Sequence, residues 1–195
     1  MKGNPTGSDA TNVPGRKLQH DGRRGAPRTC VDNPAWGKQL ACPWPFKADG
    51  ISPLAWWRTL RPDAIGNAER LLLLATLEQI DVLHGGADFA AALKGDPAAA
   101  IGVAFSLMPV EAMTLKVDIA MTALLQCVLE RNAAAALVLA QILGLTDLGH
   151  PFATELATSW LAFGRHFSDN PRKFSNAETV LLGAFRERHR DGDDI

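Results

Sequence analysis

With 195 residues, 47% of them hydrophobic, the chain has room for one domain with a real core. Its formal net charge of −1 is unevenly placed: eight Lys/Arg against four Asp/Glu in residues 1–50, about +4, and twelve against seventeen in residues 51–195, about −5. A membrane span is excluded, because the longest uncharged run of the helical part, Asn132–Thr146, is fifteen residues and contains Gln141, short of the ~20 that a bilayer core needs.

Residues 1–50 read as a basic arm rich in Pro and Gly, disordered to about residue 35, because so few large apolar groups cannot offset the entropy of ordering. Met1–Gly25 is basic but has no apolar h-region, which argues against a signal peptide. Cys30 and Cys42, twelve residues apart with only His20 nearby, do not make a zinc pair. Three cysteines are an odd number, unlike a disulfide framework, and the expected compartment is the cytoplasm. From Trp36 the arm turns aromatic: Trp36, Leu40, Trp44, Phe46, Trp56 and Trp57 fall within 22 residues. Aromatic residues this dense are seldom left exposed. Either Trp44 and Phe46 tie the arm to the domain, or Trp36, Trp44, Phe46, Trp56 and Trp57 form a docking segment for a partner.

Residues 51–190 read as an all-α, bundle-like domain of seven or eight helices, followed by a frayed tail at 191–195. Ser52-Pro53 opens a short helix to about Leu60, and Pro62 stops it. Asp63 or Asn67 caps the next helix, which carries the apolar stripe Leu73, Leu77 and Ile80 and runs to about His84 before Gly85-Gly86. Helices are expected over Ala87–Leu93 and, from the cap-plus-proline signature Asp96-Pro97, over Pro97–Leu107. Pro109 is expected to open a long helix to Arg131, with Val117, Met121, Leu124 and Val128 on one face and Cys127 as a small core residue. Asn132 caps Ala133–Leu143, with Gly144 as its stop; a further helix runs from Pro151 to about Phe167. Ser175 and Glu178 are spaced as a capping box for a last helix over Asn176–Arg188. The helix start at Asn67 is echoed at Asn176, with seven of twelve positions identical; this reads as convergence on a good helix start rather than as a repeat.

No constellation reaches the level of a catalytic, cofactor or metal motif. Asp81-x-x-His84 lacks the Glu-x-x-His pairs of a di-iron bundle. His150 and His166 flank a helix with Glu155 and Ser159, but no nucleophile elbow accompanies them. Leu139–Thr146 is similar to the first helix and turn of a helix-turn-helix unit. Yet His150-Pro151 interrupts the place of a recognition helix, and no Lys or Arg occurs from Thr146 to Gly164. The stretch reads as core helix plus turn. A basic patch could form from Arg165, Arg172, Lys173, Arg186, Arg188 and Arg190.

The expectation is therefore a cytoplasmic, bacterial, non-enzymatic helical interaction or regulatory protein that docks a protein partner and needs no cofactor or metal. The alternatives are a nucleic-acid-associated regulator using the basic arm and the C-terminal patch, and an enzyme whose groups only the fold brings together.

Overall fold

The structure, a computed structural model, describes residues 44–81 and 86–192, apart from the side chains of 186 and 188–192. The expected arm up to residue 43 (Cys30, Trp36, Leu40 and Cys42 included), residues 82–85 and the tail residues 193–195 lie outside the described residues; the helix expected to run to about His84 already ends at Glu78. The fold is all-α. Short 3-10 turns at Ala48–Gly50, Pro53–Arg58 and Pro62–Ala64 lead into α1 (Asn67–Glu78), α2 (Gly86–Leu93), α3 (Pro97–Ser106), α4 (Leu115–Leu129), α5 (Ala133–Leu145), α6 (Ala153–His166) and α7 (Pro171–Gly192). No strand occurs among the described residues, and none of their helices is long and apolar enough to cross a membrane.

Several helix starts follow from local chemistry. Asp96 Oδ1 accepts from Ala99 N at 2.8 Å with Pro97 next to it, and Asn132 Oδ1 accepts from Ala135 N at 2.9 Å. Each satisfies a backbone donor that the first helical turn leaves open. Other boundaries differ from the sequence reading. The short helix expected from Pro53 is there as a 3-10 helix and ends at Arg58. The long helix does not begin at Pro109: residues 108–114 are irregular, and Thr114 Oγ1 caps α4 by accepting from Val117 N at 3.3 Å. α5 runs through Gly144 to Leu145.

The Ser175/Glu178 capping box is overturned. α7 starts at Pro171, where Asn170 Oδ1 accepts from Lys173 N at 3.0 Å, so Ser175 lies inside the helix and its carbonyl accepts from Thr179 Oγ1. Asn followed by Pro is the stronger start signal, since Pro at the first position is pre-set for the helix and lacks the donor that would go unpaired. Glu178 instead reaches Arg165 Nη2 on α6 at 3.1 Å. The Asn67 and Asn176 echo therefore has two different roles. Asn67 opens α1, where Gly66 N donates to Glu69 Oε2 at 2.8 Å, while Asn176 is mid-helix.

α4 is the axis of the molecule. From Ala120 to Leu129 every residue is buried, because α1, α2, α3, α5 and the Pro53 turn all pack on it. An all-round apolar helix is stable only when covered on every side. α5 is also apolar over most of its circumference and packs mainly against α6. That contact is close because Gly164 of α6 has no side chain: a Cβ there would stand 2.7 Å from Ala136 Cβ and 3.2 Å from Phe174 Cζ. α7 is fastened by Phe174 and Phe185, both buried; Phe185 stacks on Phe105 of α3 with ring centroids 5.0 Å apart.

Candidate functional site

Every tryptophan among the described residues is spent on the fold. Trp56 and Trp57 are 1% and 0% exposed. Their indole N–H groups donate to Ile51 O at 3.1 Å and to Asp118 Oδ1 at 2.8 Å. Trp160 Nε1 donates to Leu60 O at 3.1 Å, and Trp44 Nε1 to Thr59 O at 2.9 Å. Buried indoles need such acceptors, and with them the rings become stable core pieces. Trp44 and Phe46 are half-buried and pack edge to face with each other, with Phe152 and, for Phe46, with the His150 ring. His150 Nδ1 accepts from Phe152 N at 3.3 Å and its Nε2 faces Arg58 O at 3.0 Å, an arrangement suited to the tautomer protonated on Nε2. Of the five aromatic residues considered for docking, Trp56 and Trp57 thus offer no ring to a partner, because they are inside the molecule; Trp44 and Phe46 line the seam between the chain before α1 and the start of α6; Trp36 lies outside the described residues.

Arg165 is paired with Glu178, while Arg172 and Lys173 are exposed in the first turn of α7. The side chains of Arg186, Arg188 and Arg190, towards the other end of that helix, lie outside the described residues. Among the described residues no three of His, Cys, Asp and Glu are grouped to hold a metal ion.

What the structure assembles, and sequence reasoning missed, is a polar stripe down the buried axis. Asp118, Thr122, Gln126 and Glu130 follow one another at i+4 and so share a face of α4. The first half of the stripe is closed. Asp118 accepts from Trp57 Nε1, from Arg58 Nε at 3.0 Å and from Arg58 Nη2 at 3.3 Å. Thr122 Oγ1 lies 2.6 Å from Asp118 O and 3.2 Å from Leu54 O. The second half is open. Gln126 is 8% exposed, and its Oε1 is buried without a hydrogen-bond partner. Its Nε2 reaches Glu130 Oε1 at 3.4 Å, and that contact fixes the amide: only the NH2 side can donate to a carboxylate, so the oxygen is the atom left over.

Gln126 lines a pocket of about 570 Å³ between α1, α2 and α4, partly open to solvent. α1 contributes Leu74, Leu77 and Glu78, with Ile80 just beyond its end; α2 contributes Ala90 and Leu93, and Lys94 follows. The walls are apolar and the ionic groups stand at the rim, the usual composition of a recognition site. Leu71, one turn before Leu74 on the same face of α1, is 68% exposed and carries the apolar surface out of the pocket. Next to Gln126 in the chain, Cys127 donates its thiol to Gly95 O at 3.7 Å. Burial first, then the charges of Glu130 and Asp96, push that thiol up to about 11, so it stays protonated and is no nucleophile at neutral pH. The spacing of the stripe was visible in the sequence; that α1 and α2 stop short of covering its lower half was not. Comparison of the chain with protein-family models, curated proteins and solved structures finds no match.

Proposed function

We propose that this protein is a non-enzymatic helical docking protein, which holds a polypeptide partner at the face formed by α1, α2 and α4. One observation carries the reading: a buried amide oxygen without a donor, Gln126 Oε1, next to an apolar pocket that opens onto an exposed leucine. An unpaired buried acceptor costs about 1–3 kcal/mol, and such groups are rare enough in native proteins to call for a reason. A partner that supplies the missing donor is that reason. The described lining of the pocket is mostly aliphatic and holds no cysteine, serine or histidine, and the neighbouring Cys127 is buried and protonated. Both facts favour binding over catalysis.

The test is a photo-crosslinking amino acid placed at Leu71 of the full chain in its native cell, with the same group at Val180 on α7, 73% exposed, as control. A discrete polypeptide adduct is expected from position 71 alone, disappearing when Gln126→Leu is added. Equal labelling from both positions, or none from 71, refutes the reading. Steep salt-dependent retention on DNA without a crosslink would favour the nucleic-acid alternative instead.

A further inference from the structure

We propose that the group this pocket receives is a cationic side chain, arginine or lysine, presented by the partner polypeptide. The inference rests on the docking reading above and adds the chemistry of the anchor. The oxygen of Gln126 can only accept, so the occupant must donate. Two carboxylates stand near it, Glu78 in the lining and Glu130 at the amide. Neither forms an ion pair among the described residues, and Lys94, the one cation of the described lining, pairs with neither.

A neutral donor would satisfy Gln126 and leave that excess negative charge alone; a cation meets both. Between the rim and Gln126 the walls are Leu74, Leu77 and Leu93, which suit the methylene stem that Lys and Arg bury behind their charged heads. A free small amine would account for the pocket but not for Leu71, whose exposed side chain extends the apolar track beyond it. A chain segment with an aliphatic residue next to its cation covers both. Arginine has the advantage, since its planar fork can reach an amide oxygen and a carboxylate together.

The full chain, labelled for side-chain amide and methyl signals, is titrated with N-acetyl-argininamide as the probe. N-acetyl-citrullinamide keeps the N–H donors without the charge, and N-acetyl-norleucinamide keeps only the stem. The arginine probe is expected to move the Gln126 amide and the Leu74 and Ile80 methyl signals. The citrulline probe should bind about threefold to fivefold more weakly, the range of one partly exposed charge contact, and norleucinamide should leave the Gln126 amide unmoved. Glu78→Gln, at an exposed residue that forms no ion pair among the described residues, should weaken the arginine probe by a similar factor and leave the citrulline probe unchanged. Equal binding of all three probes, or no response of these signals to the arginine probe, overturns the cationic anchor. If the position-71 crosslink persists in that case, docking stands and only the anchor chemistry fails; if the crosslink is missing too, both fail.

Discussion

Gln126→Met separates a stabilising amide from one kept for binding. Met has nearly the volume and flexibility of Gln, so α1, α2 and α4 need not move to accept it. The substitution removes a buried acceptor without a partner, worth about 1–3 kcal/mol, from a residue only 8% exposed. It gives up the Nε2 contact to Glu130, which at 3.4 Å is at the long limit for a hydrogen bond and is worth about 0.5 kcal/mol. Glu130 is exposed and is hydrated again at once. The net expectation is a gain of about 0.5–2.5 kcal/mol, and for a domain of this size each kcal/mol moves the melting temperature by about 2–4 °C. Thermal melts and urea titrations followed by circular dichroism read it directly. Gln126→Glu is the matched control: it adds a buried carboxylate beside Glu130 and should lower the melt at pH 7 and recover on acidification. A Gln126→Met protein less stable than the wild type would refute the reasoning, because the amide would then be holding the helices together.

Three further outcomes follow from the packing and the caps. Gly164→Ala should cost about 1–3 kcal/mol in a denaturation titration, since its Cβ would meet Ala136 Cβ at 2.7 Å and neither α5 nor α6 is free to retreat; an unchanged midpoint would mean that the α5–α6 contact is looser than described. Asn170→Ala should cost about 0.5–2 kcal/mol by removing the α7 cap, whereas Ser175→Ala, inside the helix, should leave the midpoint within error; the reverse order would put the start of the last helix at Ser175. The Cys127 thiol has a folded-state pKa of about 11 against an ordinary 9.0. A raised pKa means that the unfolded chain loses its proton first, so stability is fully present below pH 9 and falls as pH climbs towards 11. Chemical denaturation across that window should show a steeper alkaline loss for the wild type than for Cys127→Ala, and equal slopes would sink the assignment.

The sequence by itself determined the class of fold and several of its boundaries. Asp96-Pro97 and Asn132 are local signals, each decided by one side-chain oxygen and a few backbone donors, and the structure has helices starting at both places. The uncharged, apolar run Asn132–Thr146 likewise implied that α5 is a core helix, whereas α4 was legible only as one apolar face and the fold buries it all round from Ala120 to Leu129. The start of the last helix was misread although the local signal was there: Asn170-Pro171 is stronger than Ser175-x-x-Glu178, and the helix that begins at Pro171 also seats Phe174 in the core and brings Glu178 to Arg165. The site was legible only in half. The i+4 line from Asp118 to Glu130 is written in the chain, but a helical period says which residues share a face and not what covers that face. The fold places Trp57 and Arg58, about sixty residues away in sequence, on Asp118, and leaves Gln126 at the edge of a gap between α1 and α2. Long-range contacts decide which polar groups of a buried helix are satisfied, and here they satisfied two and left an acceptor on the third.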